Sequence, residues 1–153
     1  MVKSRPDGYP SLTPYLIVRD GAAAIAFYCQ VLGARERLRM PGPGGRVGHA
    51  ELEIGTSLVM LADEAPEHGA VAPGESAGRS VSLHLYVEDA DATMQAARQR
   101  GARVIAELEN KFYGDRLGSF IDPFGHAWHV ATHIEDVSED ELRRRAAAVS
   151  GGA

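Results

Sequence analysis

Leu16-Ile17-Val18-Arg19-Asp20 and Leu85-Tyr86-Val87-Glu88-Asp89 are two renderings of one pattern. Each closes on Val-x-Asp and leads into an Ala-rich apolar run. The runs stop at Gly33-Ala34-Arg35 and at Gly101-Ala102-Arg103. Asp20 lies 13 residues before Gly33, and Asp89 lies 12 before Gly101. That interval holds one short helix, with Asp as its cap and Gly as its stop. Strand-like segments follow each copy. The chain is therefore predicted to be a duplicated β-α-β-β-β unit, an α+β fold in which paired βαβββ modules form a curved mixed sheet around a groove. A groove favours a small-molecule site over a flat interaction surface.

The modules are expected at 10–62 and 81–137, joined by a linker at 63–80 and followed by a helix and tail at 138–153. Leu12 to Val18 reads as the first strand. In the helix after Asp20, at about 21–32, Ile25, Tyr28, Cys29 and Leu32 recur at helical spacing and should face the sheet. A strand near Glu36–Met40 precedes the loop Pro41-Gly42-Pro43-Gly44-Gly45. Val47–Ile54 and Ser57–Ala62 flank Gly55-Thr56 and read as a hairpin. The linker carries Pro66, Pro73 and glycines without periodicity. In the second module, Val81–Val87 is a strand and Asp89–Arg100 a helix burying Ala90, Met94 and Ala97. Val104–Leu108 is a further strand. Lys111–Arg116 reads as an irregular polar loop, with Gly114 as a flexible point. Leu117–Ile121, the turn Asp122-Pro123-Phe124-Gly125 and Ala127–Thr132 form a closing hairpin. Ser138 with Glu141 makes a capping box for a last helix at about 139–148, and the Ser-Gly-Gly-Ala tail is expected to be disordered.

With 153 residues the chain is long enough to bury a core, and 44% apolar with 24% charged residues is ordinary for a globular protein. A net charge of -5 and the lack of a basic block speak against nucleic acid or an anionic membrane as partner. Arg143-Arg144-Arg145 lies beside acidic residues and reads as a solvated helix face. No apolar run approaches the roughly 20 residues of a membrane span, and Met1–Pro10 lacks an apolar signal core, so a cytoplasmic location is expected. Cys29 is the single cysteine and falls on an apolar helix face.

Several motifs carry a resemblance to a known family. Val18-x-Asp20 is followed by Phe27-Tyr28 and Leu32-Gly33-Ala34, and the chain closes with Asp122-Pro123-Phe124-Gly125-His126. With Gly48-His49-Ala50-Glu51, Tyr113-Gly114-Asp115-Arg116 and Trp128 to Asp136, residues 10–137 resemble the vicinal oxygen chelate superfamily. That superfamily comprises glyoxalase I, bleomycin-resistance proteins and extradiol dioxygenases, and the pattern is similar to its PhnB-like branch. The resemblance implies the paired βαβββ fold and a homodimer, in which modules pack side by side or are exchanged. It also implies one metal ligand on each of four strands, at Thr13, Met60, Ser82 and His129. Threonine and serine hydroxyls are weak ligands, and methionine sulfur is soft. Only His129 suits a divalent ion, so glyoxalase I chemistry is not expected.

Strand alternation brings other residues to the groove. The two-residue turn pairs Ile54 with Ser57 and thus Glu51 with Met60. His49, Glu51 and Met60 should therefore share the groove face, with Leu52 and Ile54 toward the helix. Ser82, His84 and Tyr86 alternate with Leu83 and Leu85, and His129 alternates with Trp128 and Val130. Glu51, His84 and His129 are the residue types of a two-histidine, one-carboxylate metal triad. The simpler reading is that the same groups hydrogen-bond an organic ligand or water. Tyr113, Asp115 and Arg116 form a polar cluster suited to a polar or anionic ligand, or alternatively an Asp115–Arg116 surface pair. His126 is expected to brace its turn, His68 to be solvated, His133 to partner the nearby acidic segment, and Trp128 to be core.

The reading expected from sequence is a glyoxalase/bleomycin-resistance-like homodimer. It binds a small organic molecule through His49, Glu51, Met60, Ser82, His84, Tyr86, Tyr113, Asp115, Arg116 and His129, with no catalytic metal, in a sequestration role. The rival is a lyase, isomerase or dioxygenase holding a divalent metal on Glu51, His84 and His129.

Overall fold

A computed structural model describes residues 1–75 and 78–152. The chain divides into two compact units, one of Met1–Gly78 with Pro123–His126, the other of Arg79–Asp122 with Ala127–Ala153. The sequence repeat reappears as a repeat of architecture. In the first unit the elements are β1 (Tyr15–Val18), α1 (Gly21–Leu32), β2 (Arg35–Pro41), β3 (Val47–Ile54) and β4 (Ser57–Asp63). In the second they are β5 (Ser82–Tyr86), α2 (Ala90–Gln99), β6 (Arg103–Asn110), β7 (Asp115–Ile121), β8 (Ala127–His133) and a last helix, α3 (Glu139–Ser150). The two four-stranded sheets have the same order, β1-β4-β3-β2 and β5-β8-β7-β6. In each, the first strand runs parallel to the last, and the other pairs are antiparallel.

Both crossover helices start as their sequences dictate. The Asp20 side chain accepts from the Ala23 N–H at 3.0 Å, and Asp89 accepts from Ala92 N–H at 3.0 Å. Gly33 takes the left-handed conformation (φ 68°) that ends α1. One face of the first sheet is sealed by α1: Leu16, Val18, Ala50, Leu52, Ile54, Val59 and Leu61 are buried with Ile25, Tyr28 and Leu32. Phe124 joins this unit, its ring centroid 6.0 Å from Phe27 and 6.1 Å from Tyr28. Burying one such side chain contributes on the order of 1.5–3 kcal/mol. His126 braces the same place, its Nε2 2.9 Å from the Ile17 carbonyl oxygen. In the second unit Ala90, Met94 and Ala97 of α2 are buried, with Trp128, Phe120 and Val130 from the sheet. Trp128 Nε1–H donates to Asp122 at 2.8 Å, so the indole is core with its polar edge satisfied.

Several boundaries differ from expectation. The first strand begins at Tyr15, because Pro14 lacks the N–H a ladder needs. Asp115 and Arg116 are not in a loop. The turn is only Lys111–Gly114, closed by Lys111 N–H to the Asp115 carbonyl (2.7 Å), and β7 starts at Asp115. Gly114 is fixed rather than flexible: φ is 95°, its carbonyl accepts from Ile134 and Glu135 N–H, and a Cβ there would collide with the Glu135 carbonyl oxygen. Helix α3 extends through Ser150 and Gly151–Gly152 form a turn, so the expectation of a disordered tail does not hold over 150–152; Ala153 lies outside the described residues, as do residues 76 and 77 of the expected linker. Among the described residues, no helix is long and apolar enough to cross a membrane.

Candidate functional site

The sheet faces left open by α1 and α2 carry most of the polar candidates. In the first unit the register pairs Ile54 with Ser57, Glu51 with Met60 and Tyr15 with Met60. Tyr15, Met60 and Glu51 thus lie side by side across β1, β4 and β3, on the face opposite Leu52 and Ile54. Glu51 is buried at 4% exposure. A buried carboxylate needs partners, and it has several. Tyr9 O–H donates to it at 2.9 Å, and His49 Nε2 lies 3.1 Å away. Arg37 stands 3.8 Å off. The β2–β3 register shifts between Glu36 and Leu38, and at that irregularity Arg37 lies under the Tyr9 ring (4.4 Å) and donates to the Gly8 carbonyl at 3.1 Å. Burial pushes the Glu51 pKa up, but the hydrogen bonds from His49 and Tyr9, with the charge of Arg37, bring it below the usual carboxylate range.

His49 continues the network. A carboxylate only accepts, so Nε2 carries the hydrogen, and Nδ1 faces the Tyr15 hydroxyl at 2.8 Å. Burial and the Glu51 charge raise the Tyr15 pKa, which keeps the phenol protonated. Its hydrogen goes to Nδ1. Tyr9, Tyr15 and Arg37 were missed from sequence. Strand alternation places Tyr15 on the open face, so that signal was available. Tyr9 sits in a segment without periodicity and gave none.

Tyr15, Ile17 and Ala62 also floor a cavity of about 520 Å³ in this unit. Gly42, Pro43, Arg46, Val47 and Gly48 form one wall, and Asp63–Ala65, Glu67, His68 and Ala70 another. Asp63 accepts from Gly21 N–H (2.8 Å) and Val47 N–H (2.7 Å), and Glu64 accepts from Ala72 N–H (2.8 Å). These two carboxylates hold the walls. The half-exposed Arg46 guanidinium is 4.0 Å from Asp63.

In the second unit His129 is the central residue. Ser119 Oγ lies 2.6 Å from its Nδ1 and Ser82 Oγ 3.0 Å from its Nε2. His84 pairs with His129 in the register, ring centroids 6.2 Å apart, and Tyr86 stacks edge-on against His84 at 5.1 Å. Tyr86 O–H donates to the buried Asp115 at 2.7 Å. His133 Nδ1–H donates to Asp115 and Nε2–H to Asp136, both at 2.8 Å. Two carboxylate acceptors require both ring hydrogens. The hydrogen bonds to Asp115 and then Asp136 accordingly raise the His133 pKa. Burial pushes Asp115 up, but the bonds from Tyr86 and His133 hold it below the usual range. Tyr113 lies in the turn, its ring 5.2 Å from Phe112. Arg116 stands apart from this group: its guanidinium binds both oxygens of Asp91 on α2 (2.7 and 2.8 Å) and Asn110 (3.1 Å). His68 is exposed, as expected.

The four positions at which the family resemblance implies metal ligands, of which Thr13 lies before β1, do not make a donor set. Thr13 and Met60 offer a hydroxyl and a thioether, and Ser82 with Ser119 takes up both nitrogens of His129.

Comparison with known proteins agrees with this architecture. The family model of the Glyoxalase/Bleomycin resistance protein/Dioxygenase superfamily matches residues 11–130. The uncharacterized protein Rv0887c of Mycobacterium tuberculosis (strain H37Rv) is 41% identical over 137 residues, 88% of this chain and 81% of that protein. The crystal structure of PA1353 from Pseudomonas aeruginosa is 27% identical with a TM-score of 0.66, covering 82% of this chain and 99% of that one. A PhnB protein from Bacillus cereus, 16% identical with a TM-score of 0.63 over 80% of this chain and 99% of that one, shares the fold expected of the PhnB-like branch. The protein belongs to the Glyoxalase/Bleomycin resistance protein/Dioxygenase superfamily.

Proposed function

We propose that the protein binds a small, partly aromatic, polar organic molecule on its open sheet faces, without a catalytic metal, and acts by sequestration. The observation that carries this reading is the cavity of about 520 Å³ above Tyr15, Ile17 and Ala62. Its size falls within the roughly 300–1,000 Å³ typical of small-molecule sites. Its floor is aromatic and apolar, its walls supply a few fixed polar groups, and the hydroxyl and imidazole of Tyr15 and His49 are already oriented by Glu51. The donor chemistry at Thr13, Met60, Ser82 and His129 supports the metal-free half of the proposal. A homodimer is part of the same reading, supported by the exposed apolar residues Leu38 and Met40 on the edge strand β2.

The test is a thermal-shift screen of a metabolite and antibiotic panel, followed by elemental analysis of tag-free protein purified without chelator. A stabilising organic ligand with substoichiometric metal is the expected result. One tightly held zinc, nickel, iron or manganese ion per chain would overturn the metal-free reading.

A further inference from the structure

We infer that Tyr15, His49 and Glu51 form a proton relay that opens on the first-unit cavity, and that this cavity takes a small phenol or enol and removes its hydroxyl proton. The inference rests on the binding reading above and adds the ligand's chemical class. Three observations carry it. The hydrogen bonds run in one line, Tyr15 hydroxyl to His49 Nδ1 (2.8 Å) and His49 Nε2–H to Glu51 (3.1 Å). Glu51 is buried at 4% and is held from its far side by Tyr9 O–H at 2.9 Å, so its position is fixed. Tyr15 is 47% exposed and lines the cavity, so a ligand can reach the one end of the line that is open.

The chemistry follows from who donates. Tyr15 gives its own hydrogen to His49, so its oxygen offers lone pairs rather than a donor. The matching ligand group is an O–H. In the transfer, the ligand O–H bond breaks and its proton bonds to Tyr15 Oη. The original Tyr15 proton passes to His49 Nδ1. The ligand keeps the electron pair as a phenolate or enolate, and nothing is oxidised or reduced. The resulting imidazolium sits against the Glu51 carboxylate, the arrangement in which a buried acid stabilises a protonated histidine. Ile17, Val47 and Ala62 present an apolar surface for a flat carbon skeleton, and Arg46 supplies a cation in the same lining. Tyr15 touches the ligand, His49 carries the proton, and Glu51 is a positioning residue. Tyr9 and Arg37 stand against the buried end of the relay, and the charged and titratable groups lining the cavity beside Tyr15 are Arg46, Asp63, Glu64, Glu67 and His68.

The experiment uses 4-nitrophenol with the full chain, at a pH where the free phenol is mostly un-ionised. Equilibrium dialysis reports binding, and the visible phenolate band reports ionisation. Bound probe is expected to show the phenolate band. Tyr15→Phe, a change at an exposed position, is expected to lose the band and to weaken binding about tenfold, the loss of one hydrogen bond of ~1.4 kcal/mol. His49→Asn is expected to lose the band as well. A bound but neutral phenol, a band that survives in Tyr15→Phe, or failure of the probe to bind overturns the inference. The two readings fail separately. If the probe does not ionise while another organic compound stabilises the protein, only the relay falls; if no compound of the panel stabilises it, the binding reading falls.

Discussion

Glu51 shows what a single residue contributes here. It lies in a strand whose alternate positions, Ala50, Leu52 and Ile54, are fully packed against a helix, and it is itself buried on the other face. Its three hydrogen-bonding and charged neighbours come from β3, β2 and the segment before β1. Glu51→Gln keeps the shape but turns one acceptor into a donor facing His49 or Tyr9. Such a change at a buried charged hydrogen bond costs about 1.5–3 kcal/mol, measurable by urea unfolding. Gly114 is the second residue whose identity is forced. Gly114→Ala would meet both a disfavoured φ and the Glu135 carbonyl. A loss of at least about 2 kcal/mol and a lowered melting temperature are expected. Arg116→Ala, by contrast, removes an exposed bidentate pair with Asp91 and should lower the melting temperature only slightly. Its effect should appear as faster amide exchange in the first turn of α2 rather than as lost ligand affinity.

At the scale of elements, α3 differs from the other two helices. None of its residues is buried. It is attached by charge: Arg145 binds Glu135, Glu141 and the Phe112 carbonyl, and the two arginines at 144 and 145 push the Glu141 pKa down to about 2. His133 joins the end of β8 to Asp115 and Asp136 just before this helix. Its raised folded pKa means that its contribution is complete below the unfolded value near 6.5 and is lost as pH rises through the folded value. Stability is therefore expected to decline from pH 6 toward alkaline pH, and His133→Gln should flatten that decline. Glu51 and Asp115, with lowered folded values, act in the opposite sense. Their contribution is present above the unfolded carboxylate pKa near 4 and disappears as pH falls further. Hydrogen exchange at high salt should show α3 amides exposed before those of α1 or α2.

Across the whole molecule, the architecture was legible because it is written twice. Val-x-Asp caps, glycine stops and the two-residue turn at Gly55-Thr56 specify both helices and the β3–β4 register. Alternation then placed His49, Glu51 and Met60 on one face and Ser82, His84, Tyr86 and His129 on the corresponding face of the other sheet. What remained hidden depends on non-local contacts. Asp115 looks like a loop residue because charge usually marks solvent; its burial is made tolerable by Tyr86 and His133, which are distant in sequence. Tyr9 reaches Glu51 from a segment with no pattern. The cavity is walled by the Gly-Pro loop before β3 and by residues after β4, stretches read as connectors.

The central claim is that this superfamily member binds an organic molecule with its own side chains and no metal. Isothermal titration calorimetry, with the strongest stabilising compound from the screen and protein before and after exhaustive chelation, tests it most directly. The account predicts the same affinity in both samples. Affinity that vanishes on chelation and returns with added manganese or iron would contradict it.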